Sequence, residues 1–306
     1  MQYSKRPLDV GDQIAKLENR GLLFTDKELA AQYLNNISYY RLRAYTFPFQ
    51  NNDDESADHS FLRNDIDFMD IIDLYIFDRR LRSLIFNELE KIEVAVRTKL
   101  SLVYSTTLSD AFWYENPNNF DSRKMFELLK NDIDGDVNRS NEDFIKHYHK
   151  KYDTPPVPPS WMTLEVVSFG VLSRMYKHLA KTEEKREIAH SFGIGNENIF
   201  SNWLHAFSNL RNCCAHHSRI WNRRYPVHLI IPYNTSKPFI PRDKATGIKQ
   251  NKLFALLSAI KYIADIISPD NSFKFNLTRL LNERHKLLST KEMGFNEDWM
   301  DLPVWR

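Results

Sequence analysis

Residues 65–107 read DIDFMDIIDLYIFDRRLRSLIFNELEKIEVAVRTKLSLVYSTT and contain neither glycine nor proline. Apolar side chains recur at Ile71, Leu74, Tyr75, Phe77, Leu81, Leu84, Ile85, Leu89, Ile92, Val96, Leu100 and Val103. Steps of three and four residues place these on one face of an α-helix, whereas a half-buried strand would alternate every second residue. The stretch predicts one long helix, or two with a small break, as the backbone of an all-α bundle. Asp78–Arg82 and Glu93–Arg97 are acid–base pairs at i,i+4, a spacing that stabilises an exposed helix face.

The flanking chain reads the same way. Its 306 residues can bury a substantial core. Twenty Phe, 14 Tyr and 6 Trp against 8 Gly favour packed helices over glycine-rich phosphate loops. Residues 8–20 predict a short helix stopped at Gly21, and Asp26 caps a second from Lys27 to Asn36. The polar run 51–60 is a linker or exposed loop, and 132–141 (DIDGDVNRSN) is a second loop. Pro155–Pro159 is an extended connector. Ser160 caps a helix from Trp161 to Ala180, with Phe169–Gly170 as a close-packing point. Asn196 or Asn198 caps another, residues 225–241 are an extended loop or short strand pair, and 252–267 and 273–288 are further helices. The expected organisation is an N-terminal helical segment (1–50), a helical domain (61–290) and a C-terminal tail (291–306) docking on the body.

A net charge of +2 excludes a polycation, so any nucleic-acid surface is a local patch. The two cysteines are adjacent, Cys213 and Cys214, and do not form an ordinary structural disulfide with each other. The opening residues lack an apolar export segment, and the most apolar run, 253–267, is interrupted by Lys261 and Asp265. These features predict a cytoplasmic protein that does not span a membrane.

The chemistry concentrates in residues 210–224, LRNCCAHHSRIWNRR, which carry four arginines, two histidines and no acid. Phe200, Trp203, Leu204, Phe207 and Leu210 lead into the run at helical spacing. Asn212 and His216 lie one turn apart. Arg211 and His216 are five residues apart, roughly 140° around a regular helix, and do not converge. Either the helix ends or distorts inside the motif, or a second copy of the chain completes the site. A two-fold interface here would place two histidines and two arginines around one phosphate. Cys213 and His217 at i,i+4 make half of a zinc site, but no second pair of matching spacing exists, so no metal or cofactor is expected.

Arg211-Asn212 followed by His216 is similar to the R-x4-6-H signature of HEPN ribonucleases, and Ala215-His216-His217-Ser218-Arg219-Ile220-Trp221-Asn222 resembles the AbiD/AbiF family of abortive-infection proteins. Tyr39–Tyr45 (YYRLRAY), Leu74–Arg82, Ile92–Arg97 and the Pro155–Leu172 region carry further resemblance. The likeness implies a HEPN-like bundle with a long central helix. It also implies a homodimeric, toxin-like endoribonuclease of phage defence that needs no metal, leaves 2′,3′-cyclic phosphate ends and is restrained by a cognate small non-coding RNA or another antitoxin. On that basis His216 is the acid–base residue, Arg211 stabilises the charged phosphorane and Asn212 orients the histidine. Glu93 and Arg97 could orient that arginine or histidine, although a purely structural role fits their spacing better. His217, Arg219, Arg223 and Arg224 are expected RNA contacts, as are Tyr40, Arg41 and Arg43, where aromatics interleave with cations. Alternatively His217 caps its helix, and the tyrosines of the N-terminal string pack in the core. The competing function is a non-catalytic RNA-binding scaffold that keeps the same fold.

Overall fold

Phe68–Thr107 is a single unbroken α-helix of 40 residues, ~60 Å long at 1.5 Å per residue. Ile71, Leu74, Phe77, Leu81, Ile85, Leu89, Ile92, Val96, Leu100 and Val103 are all buried, the stripe that the periodicity predicts. The computed structural model describes residues 2, 6–52, 58–283 and 285–306. The centre of the expected linker at 51–60 therefore lies outside the described residues.

The chain is all-α: the described residues contain isolated bridges but no β-strand. It divides into two units. The first comprises Met1–Arg82 with Thr278–Thr290, and the second comprises Ser83–Leu277 with Lys291–Arg306. The first contains α1 (Val10–Glu18), α2 (Lys27–Asn36), α3 (Tyr39–Thr46) and the start of the long helix, α4. Asp9, Asp26 and Ser38 each accept a backbone N–H in the first turn of their helix, which satisfies groups that no helical partner reaches. Gly21, at φ +91°, follows α1 in the left-handed conformation that a side chain disfavours.

The second unit holds the rest of α4, then α5 (Arg123–Arg139), α6 (Asp143–Lys151), α7 (Ser160–Val166), α8 (Phe169–His178), α9 (Glu183–Ser191), α10 (Glu197–Ala215), α11 (Arg242–Ala245), α12 (Leu253–Ile267) and most of α13 (Phe273–Leu281). α10 packs on α8, α9 and α12. Trp299 and Trp305 of the tail pack with Phe254 of α12, and Trp305 donates its indole N–H to Ser258 at 2.9 Å.

Four expectations are corrected. The loop predicted at 132–141 is largely the second half of α5, because Leu129, Ile133 and Val137 recur every four residues and are buried. Gly135 has open space around it and costs about 1 kcal/mol there, less than the burial of those three side chains returns. The helix predicted from Trp161 to Ala180 is two helices. Ser168 breaks it, and its hydroxyl caps α8 by accepting the Val171 N–H. Ser160 is buried inside α7 rather than capping it, and its hydroxyl meets that of Ser105 at 2.8 Å. At Gly170 an added Cβ would meet Ser208 Oγ at 3.6 Å, an ordinary contact, so the packing there does not demand a glycine.

Candidate functional site

α10 begins at Asn196, whose side chain accepts the N–H groups of Asn198 and Ile199 at 2.9 and 3.2 Å. Phe200, Trp203, Leu204, Phe207, Leu210 and Cys214 are buried along one face. The helix is thus held firmly up to the motif that closes it.

It ends inside that motif. His216 is the C-cap, at φ −87° and ψ 12°, and its N–H donates to the Asn212 carbonyl at 2.9 Å. His217 lies at φ +56°, left-handed and costly for a residue with a Cβ. Its N–H donates to the Cys214 carbonyl at 3.1 Å, and the Ser218 N–H donates to that of Cys213 at 2.9 Å. These two bonds form a Schellman motif, in which the residue after the cap is usually glycine. At the end of α9 the same pair of bonds is built around Gly193, at φ +74°. The capping role expected for His217 is therefore carried by its backbone, and the register that would put Cys213 and His217 on one face stops at His216. Among the described residues no three His, Cys, Asp or Glu side chains are grouped to hold a metal ion.

The motif residues occupy contrasting environments. Asn212 and His216 are exposed on successive turns. Arg211 is half-buried: its Nε lies 3.5 Å from a Glu93 carboxylate oxygen, without hydrogen-bond geometry, and its guanidinium carbon sits 5.9 Å from the centre of the Phe86 ring, near the limit of a cation–π contact. Glu93 also accepts from Arg97, whose other nitrogen donates to the Leu164 carbonyl. One carboxylate thus faces two guanidiniums. This corrects the surface reading of Glu93–Arg97: the two residues are only 7% and 9% exposed. Their burial could have been inferred, because both are flanked by the apolar stripe of α4 at Leu89, Ile92, Val96 and Leu100.

Beyond the cap, Arg219 and Arg223 are half-buried and Arg224 is exposed. Arg219 donates to the Asn222 carbonyl at 3.0 Å. Burial pushes the Cys213 thiol up from its ordinary value, and the nearby charge of Arg223 opposes this. The segment then returns along α10: Asn202 exchanges hydrogen bonds with the His228 carbonyl and the Ile230 N–H at 3.1 and 2.9 Å, and the Trp203 indole donates to the Ile230 carbonyl at 2.8 Å.

Tyr40, Arg41 and Arg43 belong to the first unit. The core-packing reading of the aromatic string holds for Tyr45 and not for Tyr40. Tyr40 is 82% exposed, whereas Tyr45 is buried with its hydroxyl donating to Asp78 at 2.7 Å. Tyr39 accepts from Arg20 at 3.1 Å.

The model of the family described as Abi-like protein matches residues 32–222, more than half of the chain, from within α2 through the motif to Asn222. No curated protein and no solved structure matches. Among the described residues no helix is long and apolar enough to cross a membrane.

Proposed function

The chain belongs to the Abi-like protein family, and from that membership and the way α10 ends we propose a metal-independent HEPN-type endoribonuclease of abortive phage defence. The observation that carries this reading is the termination of α10 at His216. It leaves an exposed imidazole at the helix end while Arg211, in the last full turn, is held against Glu93.

RNA brings its own nucleophile. The 2′-oxygen attacks the neighbouring phosphorus as its proton passes to a base, and the 5′-oxygen leaves as it takes a proton from an acid. The products are a 2′,3′-cyclic phosphate and a 5′-hydroxyl. Imidazole serves as either partner near neutral pH, and a guanidinium presents donors to the phosphorane oxygens. His216 moves the protons, Arg211 stabilises the phosphorane and Asn212 orients the imidazole. A homodimer places a second Arg211 and His216 at the same phosphate, so that one histidine is base and the other acid. His217, Arg219, Arg223 and Arg224 extend the RNA surface from the motif, and Tyr40, Arg41 and Arg43 offer a stacking patch on the first unit. A cognate small RNA restrains the activity.

Purified protein, freed of co-purifying RNA and held in EDTA, is incubated with mixed cellular RNA beside His216→Ala. Wild type cuts and leaves cyclic phosphate ends, while the variant is slower by roughly 10²–10⁴-fold. Equal cutting by both removes His216 from the mechanism. Salt-sensitive RNA binding without cutting by either identifies a non-catalytic RNA-binding protein instead.

A further inference from the structure

Asn222 is a hub beyond the motif helix. Its backbone carbonyl accepts from Arg219 at 3.0 Å, and its side-chain oxygen accepts from Lys252 Nζ at 3.3 Å. Lys252 also donates to the Glu292 carbonyl at 2.8 Å and is 8% exposed. Two backbone hydrogen bonds clip this region together: the Tyr225 N–H donates to the Asn251 carbonyl at 2.8 Å, and the Leu229 N–H donates to that of Gln250 at 3.0 Å. They hold the stretch after Arg223 and Arg224 against the stretch that carries Lys249 and Lys252, although about 25 residues of chain separate the two.

The result is a concentration of like charge. Arg224 and Lys249 are exposed, Arg219 is half-buried and Lys252 is buried. The carboxylate that faces Lys252 is Glu292, 3.8 Å from its Nζ. Burial pulls the Lys252 ammonium below its ordinary value. Glu292 works against this, while Arg224, Lys249 and Arg219 add to it. α12 starts at the same place, with Lys252 as its N-cap, no side-chain cap and no acid in its first turn, so its positive end adds to the field. Cations gathered at the cost of mutual repulsion are relieved by an anion. Several cations spread about one hub suit the repeated charges of a nucleic-acid backbone. Arg219 follows His216 by three residues, at most roughly 10 Å of chain.

We propose that Arg219, Arg224, Lys249 and Lys252, gathered about Asn222, form a second phosphate subsite that holds the RNA backbone flanking the scissile phosphodiester. The inference rests on the ribonuclease reading above, and it adds two lysines from the far side of a loop to the arginines of the motif run. Lys252 also ties two segments together, so the test uses the exposed members.

The probe is a single-stranded 2′-O-methyl oligoribonucleotide, which binds but carries no free 2′-hydroxyl to react. Its affinity for full-length wild type, the double variant Arg224→Ala/Lys249→Ala and the control Arg123→Ala is followed by fluorescence anisotropy across a salt series. The subsite predicts that the double variant binds more weakly for every sequence tried. Its log-affinity against log-salt slope is shallower by about 1.4, at ~0.7 per lost phosphate contact on a single strand. Arg123→Ala, which removes an exposed cation of α5 outside the subsite, keeps the wild-type slope. If wild type binds and the double variant shows the same slope, the subsite is wrong and the nuclease reading stands. If wild type does not bind the oligonucleotide at all, both fall.

Discussion

Two acid–arginine pairs sit fifteen residues apart on α4, with the same i,i+4 spacing and opposite uses. Asp78 and Arg82, in the first unit, are 0% and 4% exposed. They pair with each other, and Tyr45 closes the group: its hydroxyl donates to Asp78 at 2.7 Å and accepts from Arg82 at 3.1 Å. Burial, reinforced by the Asp78 charge, pushes the Tyr45 hydroxyl far up from its ordinary value, so it remains a neutral donor. Glu93 and Arg97, in the second unit, also pair, but among the described residues no tyrosine hydroxyl closes them. The third group is Arg211 of the motif. A buried carboxylate needs compensation from every side. In the first unit the core supplies it, and in the second a residue of the proposed active site does. Identical local spacing therefore closes on itself as a structural lock in one unit and faces a residue of the proposed active site in the other.

The contrast breaks most visibly at Asp78. Asp78→Ala strands Arg82 without its counter-charge and should cost ~3–5 kcal/mol, a fall on the order of 10 °C in melting midpoint. RNA cleavage per folded molecule should not change. Glu93→Gln should behave differently. It keeps the side-chain shape, and Arg97 retains the Leu164 carbonyl, so stability falls by only about 1–3 kcal/mol. Arg211 loses the charge that positions it, and cleavage per folded molecule falls by roughly 10- to 100-fold. The loss should appear in kcat, with Glu93→Asp recovering part of it. A Glu93→Gln protein that melts earlier yet cuts at the wild-type rate would reduce both pairs to the same structural role.

The sequence discloses these features unevenly, for physical reasons. α4 and α2 are legible because apolar periodicity and an Asp cap act within a few residues of chain. The second half of α5 is not, because its polar composition hides an apolar residue every fourth position. The burial of the two pairs escapes a reading based on spacing alone, since i,i+4 says which side chains meet but not which face meets the core. The signal lies in register: Asp78 falls on the stripe of Leu74, Leu81 and Ile85. The motif from Arg211 to His216 is contiguous and visible, and its break at His217 is one of the two alternatives that geometry demands. Glu93 is a candidate partner of that arginine in the sequence already, and the packing of α4 sets it 3.5 Å from Arg211; Lys249 and Lys252 come from elsewhere in the chain, and only the backbone bonds to Gln250 and Asn251 bring them near the run.

The smallest effect is expected at Tyr45. Tyr45→Phe removes one hydroxyl and leaves the Asp78–Arg82 pair in place, so the buried carboxylate loses one of its donors and keeps its counter-charge. Removing a buried hydrogen-bond partner in that way costs about 1–3 kcal/mol, less than the loss of the charge itself. Denaturant unfolding should therefore show a lower midpoint with an unchanged slope and no change in cleavage per folded molecule. Combining Tyr45→Phe with Asp78→Ala sharpens the point. If the hydroxyl acts chiefly through its bond to Asp78, the double variant is little less stable than Asp78→Ala alone, because the carboxylate it donates to is already gone and only its acceptance from Arg82 is left to lose. Full additivity would mean that Tyr45 stabilises the first unit through its ring packing and not through Asp78, and the pair on that side would then be as open as the one beside the motif.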